Sequence, residues 1–523
     1  VTLAKQNMTN KAIGKYRKAI QADSTLATAY LNLGIEFAGE QRYQEAVAIY
    51  RKAARTDSTL AAIPMHWGVA LAGLNQDEEA IQKFRDAIAL DSTDADAYSN
   101  LAVALARLGR DQEAIAKHEV AISIEPDDYH IRYNYGMLLT KLGRYEDAAA
   151  QFREGVHGSR GSRDSSGVFS MLGVIHYKTG NPDAAISSFR TATALDPDNV
   201  EAYHNWGVIL GDLGEHEEAI QKFKHTIRLR PQYPGVYTNL GAALEKTGRP
   251  RRAQKAFRKA TKIDPDDADA YHNWGATLVR MGEFDKAAEK LEKAIVLDST
   301  NAVAYCLLGT TLKKLGRGTE AIRMFEYAIR ADSNYAEAFY NLGVGLGEIG
   351  EHEKEIQNYN KALEINPLLP EAYYAWGGAL ARSGRSLDAI DKYRIGIQLR
   401  PDYAEAYLNW GIVLRNLKRY EEAIQKCEKA TEIQPTFAEA YTEWGMELGC
   451  LGKSDQEIEK YKKAIALKPD LVEPHANLAL AYQRIGDKRG AAREYRIAFK
   501  LFTKQGRYAD AKRCERILKE LVN

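Results

Sequence analysis

The sequence predicts an all-α solenoid of about fourteen helix–turn–helix units, and three observations carry that prediction. A glycine recurs in steps of 34 residues, at Gly34, Gly68 and Gly136 and then in register from Gly173 to Gly445, with Ala102 and Ala479 filling the same slot. Within each period the apolar residues fall on two helical faces, positions 4, 7, 8 and 11 and positions 20, 24 and 27. Pro or an Asp-Ser pair then breaks the second helix near position 32, as at Pro126, Pro197, Asp57-Ser58 and Asp298-Ser299.

Composition agrees. Of 523 residues 45% are apolar and 27% charged, with only 14 Pro, which suits a large folded core and excludes disordered and collagen-like classes. Length alone would suggest about three or four domains, but the repeat overrides that count. With 72 Lys and Arg against 71 Asp and Glu, the net charge of +1 removes any whole-chain case for nucleic acid or an anionic membrane. No apolar run of about 18 residues is present to span a bilayer. Cys306, Cys427, Cys450 and Cys514 lie far apart, without zinc or haem spacing, and read as reduced thiols.

Taken in order, residues 1–26 match only the second helix of a unit: Ala12 falls at position 20, Tyr16 at 24 and Ile20 near 27. The expectation is that residues, including any targeting segment, precede Val1. Residues 27–157 hold four units. Residues 158–165 form a Gly/Ser/Arg-rich insertion, expected to be a flexible loop or hinge. Residues 166–505 hold ten more units. Residues 506–523 are expected to be a capping helix with Tyr508, Ala511, Cys514, Ile517, Leu518 and Leu521 on one face, covering the end of the stack.

Inside the units, the fourth residue is usually aromatic (Tyr30, Tyr98, Tyr203, Tyr237), the twentieth is Ala in twelve of fourteen, and an aromatic often stands at the twenty-fourth (Tyr50, Phe84, Phe152, Phe223). These residues resemble the tetratricopeptide repeat family, which pairs an aromatic and Leu-Gly on the first helix with Ala, Phe and Ala on the second. The resemblance covers nearly the whole chain and implies a right-handed superhelix. With Gly at about 7% of ordinary sequence, roughly one match is expected among fourteen positions; twelve occur. Gly and Ala at positions 8 and 20 are expected to let the paired helices approach closely.

Chemistry-bearing motifs are near misses. Gly452-Lys453-Ser454 imitates the end of a phosphate loop, but Glu447 stands where its first glycine belongs. Gly343, Gly345 and Gly347 lie within a first helix, which they are expected to soften. His204 and His272 share position 5 without any metal-binding spacing. The reading is therefore no catalytic residue, no cofactor and no metal. Glu355 and Glu457 replace Ala at position 20, and such carboxylates must snorkel or pair, with a surface-reaching salt bridge expected. Between Lys222 and Lys262 the chain is strongly basic, which reads as a solvated surface that an anionic partner could also use.

Positions 2, 6, 9 and 13 lie opposite the buried face of the first helix and should line a concave groove. Acids such as Glu201, Asp269 and Glu337 at position 2, and bases such as Lys246, Arg280 and Lys314 at position 13, suit the helix dipole without any ligand. Position 6 differs, because mid-helix Asn is disfavoured. Nine units carry it: Asn32, Asn100, Asn134, Asn205, Asn239, Asn273, Asn341, Asn409 and Asn477. A side-chain amide offers donor and acceptor together, matching the backbone of an extended peptide, with Tyr340, Tyr374, His204 and His272 alongside to add selectivity. The opposing account has each Asn bonded only to neighbouring helices or water. The ladder looks like that in the repeat arm of O-linked N-acetylglucosamine transferases, here without the catalytic domain, so the resemblance implies the arm's peptide-binding role alone. The expected function is a non-catalytic, cytoplasmic scaffold or adaptor holding an extended polypeptide. The alternatives are a self-assembling oligomer or filament, and the targeting arm of an enzyme supplied elsewhere.

Overall fold

Each period folds as a pair of helices, a first of about thirteen residues and a second of about fourteen, as in Ala95–Arg107 and Asp111–Ile124. The computed structural model describes residues 2–158 and 161–522. Among them run thirty α-helices and no strand. The chain divides into two units, Val1–Ile263 and Asp264–Asn523, each containing seven of the fourteen periods.

Side chains in the turns define where helices start. Asp94, Asp128, Asn199, Asp267 and Asn301 each accept a hydrogen bond from the backbone N–H three residues on, satisfying one orphan donor of a first helix. In the Asp-Ser turns the partner is the Thr that follows rather than the Ser. Asp57, Asp91 and Asp298 accept from both the N–H and the hydroxyl of Thr59, Thr93 and Thr300 at 2.7–2.9 Å, which holds each of these exposed carboxyls below its ordinary pKa.

The first helix stops at position 15, where the backbone is left-handed. Eleven periods place Gly there, and Gln41, Asn75 and Lys418 take the same conformation in the other three, with φ near 60°. The following N–H then reaches back to the carbonyl at position 11, as Arg110 does to Leu105 at 3.0 Å, and closes the helix end.

Position 8 explains the periodic glycine. A Cβ at Gly68 would lie 2.6 Å from the ring of Phe84, and one at Gly445 would lie 2.6 Å from that of Tyr461. The glycine therefore makes room chiefly for the ring at position 24, which is fully buried at Phe84, Phe152, Phe223 and Tyr461 among others. Each such ring contributes about 1.5–3 kcal/mol of burial. Where position 8 already carries a methyl, at Ala102, position 24 is the smaller His118; the period of Ala479 keeps Tyr495. His118 is buried against Tyr135, and burial pushes its pKa down to about 4, so it stays neutral at pH 7.

Within each unit, each first helix touches the next first helix, whereas no contact joins successive second helices among the described residues. First helices thus take the inner side of the curve in both units. In the first unit, Thr2–Ala22 packs on Ala27–Gly39. The insertion, expected as a loop at 158–165, is largely helical where it is described: Tyr145–Gly158 ends on its first residue, and the helix Ser162–Lys178 includes its last four. Ser159 and Arg160 lie outside the described residues. Those four residues lengthen a first helix by about a turn, and the Ser166 hydroxyl is buried and bonded to the Ala192 carbonyl at 2.8 Å. In the second unit, Tyr508–Val522 packs on Lys488–Lys504 through Ala511 and Cys514, with Ile517, Leu518 and Leu521 partly buried. Tyr508, assigned to the same face, is instead 64% exposed, because it stands at the helix start beyond the reach of its neighbour.

Candidate functional site

The asparagines at position 6 sit on first helices, on the face turned from the second helix of the same period. Asn32 is exposed and the other eight are half-buried. Four of them bond position 5 of the preceding first helix. Asn134 reaches Ser99 at 3.5 Å, Asn239 reaches His204 at 3.2 Å, Asn341 reaches Cys306 at 3.4 Å and Asn409 donates to Tyr374 at 2.8 Å. The ladder is therefore tied in part to neighbouring repeats, as the opposing account required. Each of these contacts uses the amide nitrogen, and no hydrogen bond from the protein reaches Oδ1 of these four among the described residues. His272, the other position-5 histidine, lies half-buried, and burial lowers its pKa as it does that of His204.

The six groove charges Glu201, Asp269, Glu337, Lys246, Arg280 and Lys314 are all exposed. Their equivalents elsewhere show what such residues do between repeats. At position 13, Lys141 donates to the Ala106 carbonyl at the end of the preceding first helix and pairs with Asp111, and Arg107 does the same with Ala72 and Asp77. At position 2, Glu439 pairs with Lys468 at 2.9 Å and Glu371 with Arg400. The position-13 charges thus staple successive repeats, the position-2 charges tie the first helix to the end of the second within one period, and both complement helix dipoles. In the basic stretch, Arg249 pairs with Glu217 and Lys222 lies over an indole, so part of that charge is already engaged.

A pattern that sequence reading missed joins the six tryptophans, all at position 7. Each has a Lys from position 23 over its ring: Lys83 on Trp67, Lys222 on Trp206, Lys290 on Trp274, Lys392 on Trp376, Lys426 on Trp410 and Lys460 on Trp444, at 3.3–4.7 Å from the centroid. The constant separation of 16 residues was the available signal. Each pair is worth about 0.5–2 kcal/mol and clamps the two helices of its period.

Glu355 and Glu457 are paired as expected, but the carboxylates do not reach the surface: both are 2% exposed. Their partners, Arg382 and Arg484 from position 13 of the next period, reach inward with 54% and 49% of their side chains still exposed. Space comes from a glycine at position 12. A Cβ at Gly347 or Gly449 would lie 2.6 Å from the carboxyl group. This gives Gly347 a packing role; Gly345 likewise abuts Ile322, and the helix Ala336–Glu348 runs unbroken. Each Glu–Arg pair lines a pocket between first helices, of about 440 Å³ beside Glu355 and about 600 Å³ beside Glu457. Among the described residues no group of three or more His, Cys, Asp or Glu side chains could hold a metal ion, and no helix is long and apolar enough to cross a membrane.

The tetratricopeptide repeat family matches at residues 27–59, 97–128, 114–163, 157–295, 306–370 and 404–437, and the TPR repeat at 68–109, 277–316 and 451–486. No curated protein matches the chain. Similar solved structures include the crystal structure of the APC/C hetero-tetramer Cut9-Hcn1, at 13% identity over 87% of this chain and 96% of that one, with a TM-score of 0.45. The crystal structure of YrrB, a TPR protein with an unusual peptide-binding site, is 30% identical over 36% of this chain and 96% of its own, with a TM-score of 0.32. That of MamA is 30% identical over 32% and 97%, with a TM-score of 0.30. A protein-interaction scaffold, typically non-catalytic, is the role that goes with such repeats. With the 34-residue register, the paired helices and these matches in agreement, the chain belongs to the tetratricopeptide repeat family.

Proposed function

We propose that the chain is a scaffold that holds an extended segment of a partner protein against its first helices, with the position-6 amides bonding that segment's backbone. The likeness of the ladder to the repeat arm of O-linked N-acetylglucosamine transferases supports the same reading. The observation that carries it is the state of the tethered amides. Asn134, Asn239, Asn341 and Asn409 each commit an N–H to a neighbouring side chain, and Asn341 also donates to the Glu337 carbonyl, which fixes their orientation, while Oδ1 keeps its lone pairs for a peptide N–H. Ordering in advance reduces the entropy lost on binding.

Selection of a random-peptide phage library on the full chain tests this. Peptides should be enriched, and replacing Asn341, Asn409 and Asn477 together by Ala should weaken the enriched peptide about tenfold or more by fluorescence polarisation, while helicity is retained. Affinity unchanged by that triple substitution removes the ladder from the reading.

A further inference from the structure

The two Glu–Arg pockets of the second unit are copies three periods apart, yet their acids are not equally satisfied. Around Glu355, Oε1 accepts from Arg382 at 2.7 Å and from the Tyr359 hydroxyl at 3.3 Å, and Oε2 bonds His352 Nδ1 at 3.1 Å. Around Glu457, Oε1 is held by Arg484, but Oε2 is buried with no hydrogen-bond partner. Ser454 stands where the other copy has His352. Asn477 lines the same pocket, and among the described residues its amide makes no hydrogen bond to a protein group. A buried carboxylate oxygen without a donor is costly, and the side chain that carries this one borders an open pocket.

Three features of the pocket restrict what would fill it. The free oxygen of Glu457 is an acceptor. Arg484 supplies N–H donors beside it, one already on the Gly449 carbonyl at 3.3 Å, and the guanidinium is half-exposed. Met446 and Leu480 form an apolar rim, Leu480 being 44% exposed. A cationic side chain would be repelled by Arg484 and an anionic one by Glu457. A neutral primary amide meets both at once, donating to the carboxylate and accepting from the guanidinium, and it needs an aliphatic stem to cross the rim to an acid that is 2% exposed.

We infer that the pocket bounded by Met446, Glu457, Asn477, Leu480 and Arg484 is a specificity pocket for a glutamine side chain on the bound segment. This rests on the peptide-binding reading and adds the residue that sets register. The Glu355 pocket, its acid already satisfied by His352, Tyr359 and Arg382, takes no such side chain.

The phage-selected peptides decide it. They should share a glutamine at one position, and replacing that glutamine by Leu, Lys or Glu should weaken binding to the full chain about tenfold or more in each case. Glu457→Ala, which installs the residue found at position 20 in twelve periods, should erase the difference between the Gln and Leu peptides, while Glu355→Ala should leave it intact. Enriched peptides without a shared glutamine, a Lys or Glu peptide that binds as tightly, or a preference that survives Glu457→Ala would each overturn the pocket assignment and leave the groove reading standing. Failure of the wild-type chain to enrich any peptide would overturn both. The peptide series on the wild-type chain reads the preference without any protein variant, so the test does not depend on Glu457→Ala folding.

Discussion

The pockets at Glu355 and Glu457 start from the same four residues, a Glu at position 20, a Gly at position 12, a Tyr at position 24 and an Arg at position 13 of the next period. At the carboxylate itself one difference separates them. His352 closes the first by bonding the second carboxylate oxygen, and Ser454 leaves the second without that donor. The lesson is that a repeat lattice reproduces a buried charge at little cost in backbone, because position 13 of one period always lies over the preceding second helix. A single neighbouring side chain then decides whether the charge is purely structural or available.

Removing the arginines should break the comparison most sharply. Arg484→Met strands a buried carboxylate and should cost about 3–5 kcal/mol at neutral pH. Arg382→Met should cost less, since His352 still holds the second oxygen of Glu355 and Glu457 has no such donor. Burial raises the Glu457 carboxyl above its ordinary pKa and Arg484 pulls it back. Without Arg484 the rise is larger, so the stability that the variant retains in acid should fall as pH climbs past the unfolded carboxyl value. Urea unfolding across pH, or hydrogen exchange of the helix Ser454–Leu467, measures both effects. Equal costs for the two substitutions would mean that His352 contributes nothing.

How much of this was legible in the sequence follows from the same residues. A close approach at position 8 was readable because it repeats in nearly every period and twelve glycines outweigh any local accident, but the sequence set that glycine against the Ala at position 20, whereas it makes room chiefly for the ring at position 24. The Glu–Arg pairs were present as a shared spacing of 27 residues with a glycine eight before the acid, but only two periods carry them, too few to separate from ordinary surface charge. Position 15 is not singled out by the sequence, because Gln41, Asn75 and Lys418 interrupt its glycines and look unremarkable until their φ is known. The asparagine ladder was correctly placed on first helices, but its bonds to position 5 depend on how far successive helices are offset, which periodicity does not specify.

A third acid sharpens the contrast, since no arginine hydrogen-bonds it among the described residues. Glu447, on the first helix of the period that holds Glu457, is fully buried; Oε1 accepts weakly from Cys427 at 3.6 Å and Oε2 has no partner. Burial pushes its pKa up to about 8. Between the unfolded value of 4.5 and about 8 the folded state keeps a proton that the unfolded state releases, so stability falls as pH rises through that window. Glu447→Gln should flatten this slope and raise stability at pH 8 by about 2–3 kcal/mol. Thermal unfolding from pH 5 to pH 8 checks it, and a wild-type melting temperature that does not fall over that range would contradict the assignment.

His352 supplies a smaller and more specific test. His352→Ser gives the Glu355 pocket the residue of its counterpart and should cost about 1–1.5 kcal/mol through the lost bond to a buried carboxylate. If a free second oxygen is what makes a pocket receptive, this variant should also gain affinity for a glutamine-bearing peptide that the wild-type pocket ignores. Ala375, where the other copy has Asn477, will keep that gain below the affinity of the Glu457 pocket.

The smallest effect serves as the control. Lys418 lies in the period between the two pocket pairs, outside both pockets, and holds φ at 60° in a turn where eleven periods use Gly. A non-glycine residue in that conformation is disfavoured by about 1–2 kcal/mol, and Gly gives back about 0.5–1 kcal/mol through the freedom it adds to the unfolded chain. Lys418→Gly should therefore stabilise by about 0.5–1 kcal/mol. Because neither Glu355 nor Glu457 depends on that turn, the difference between Arg484→Met and Arg382→Met should be the same on the Lys418→Gly background. If it shrinks there, the two costs reflect general fragility of the second unit, and the contrast between the pockets loses its physical basis.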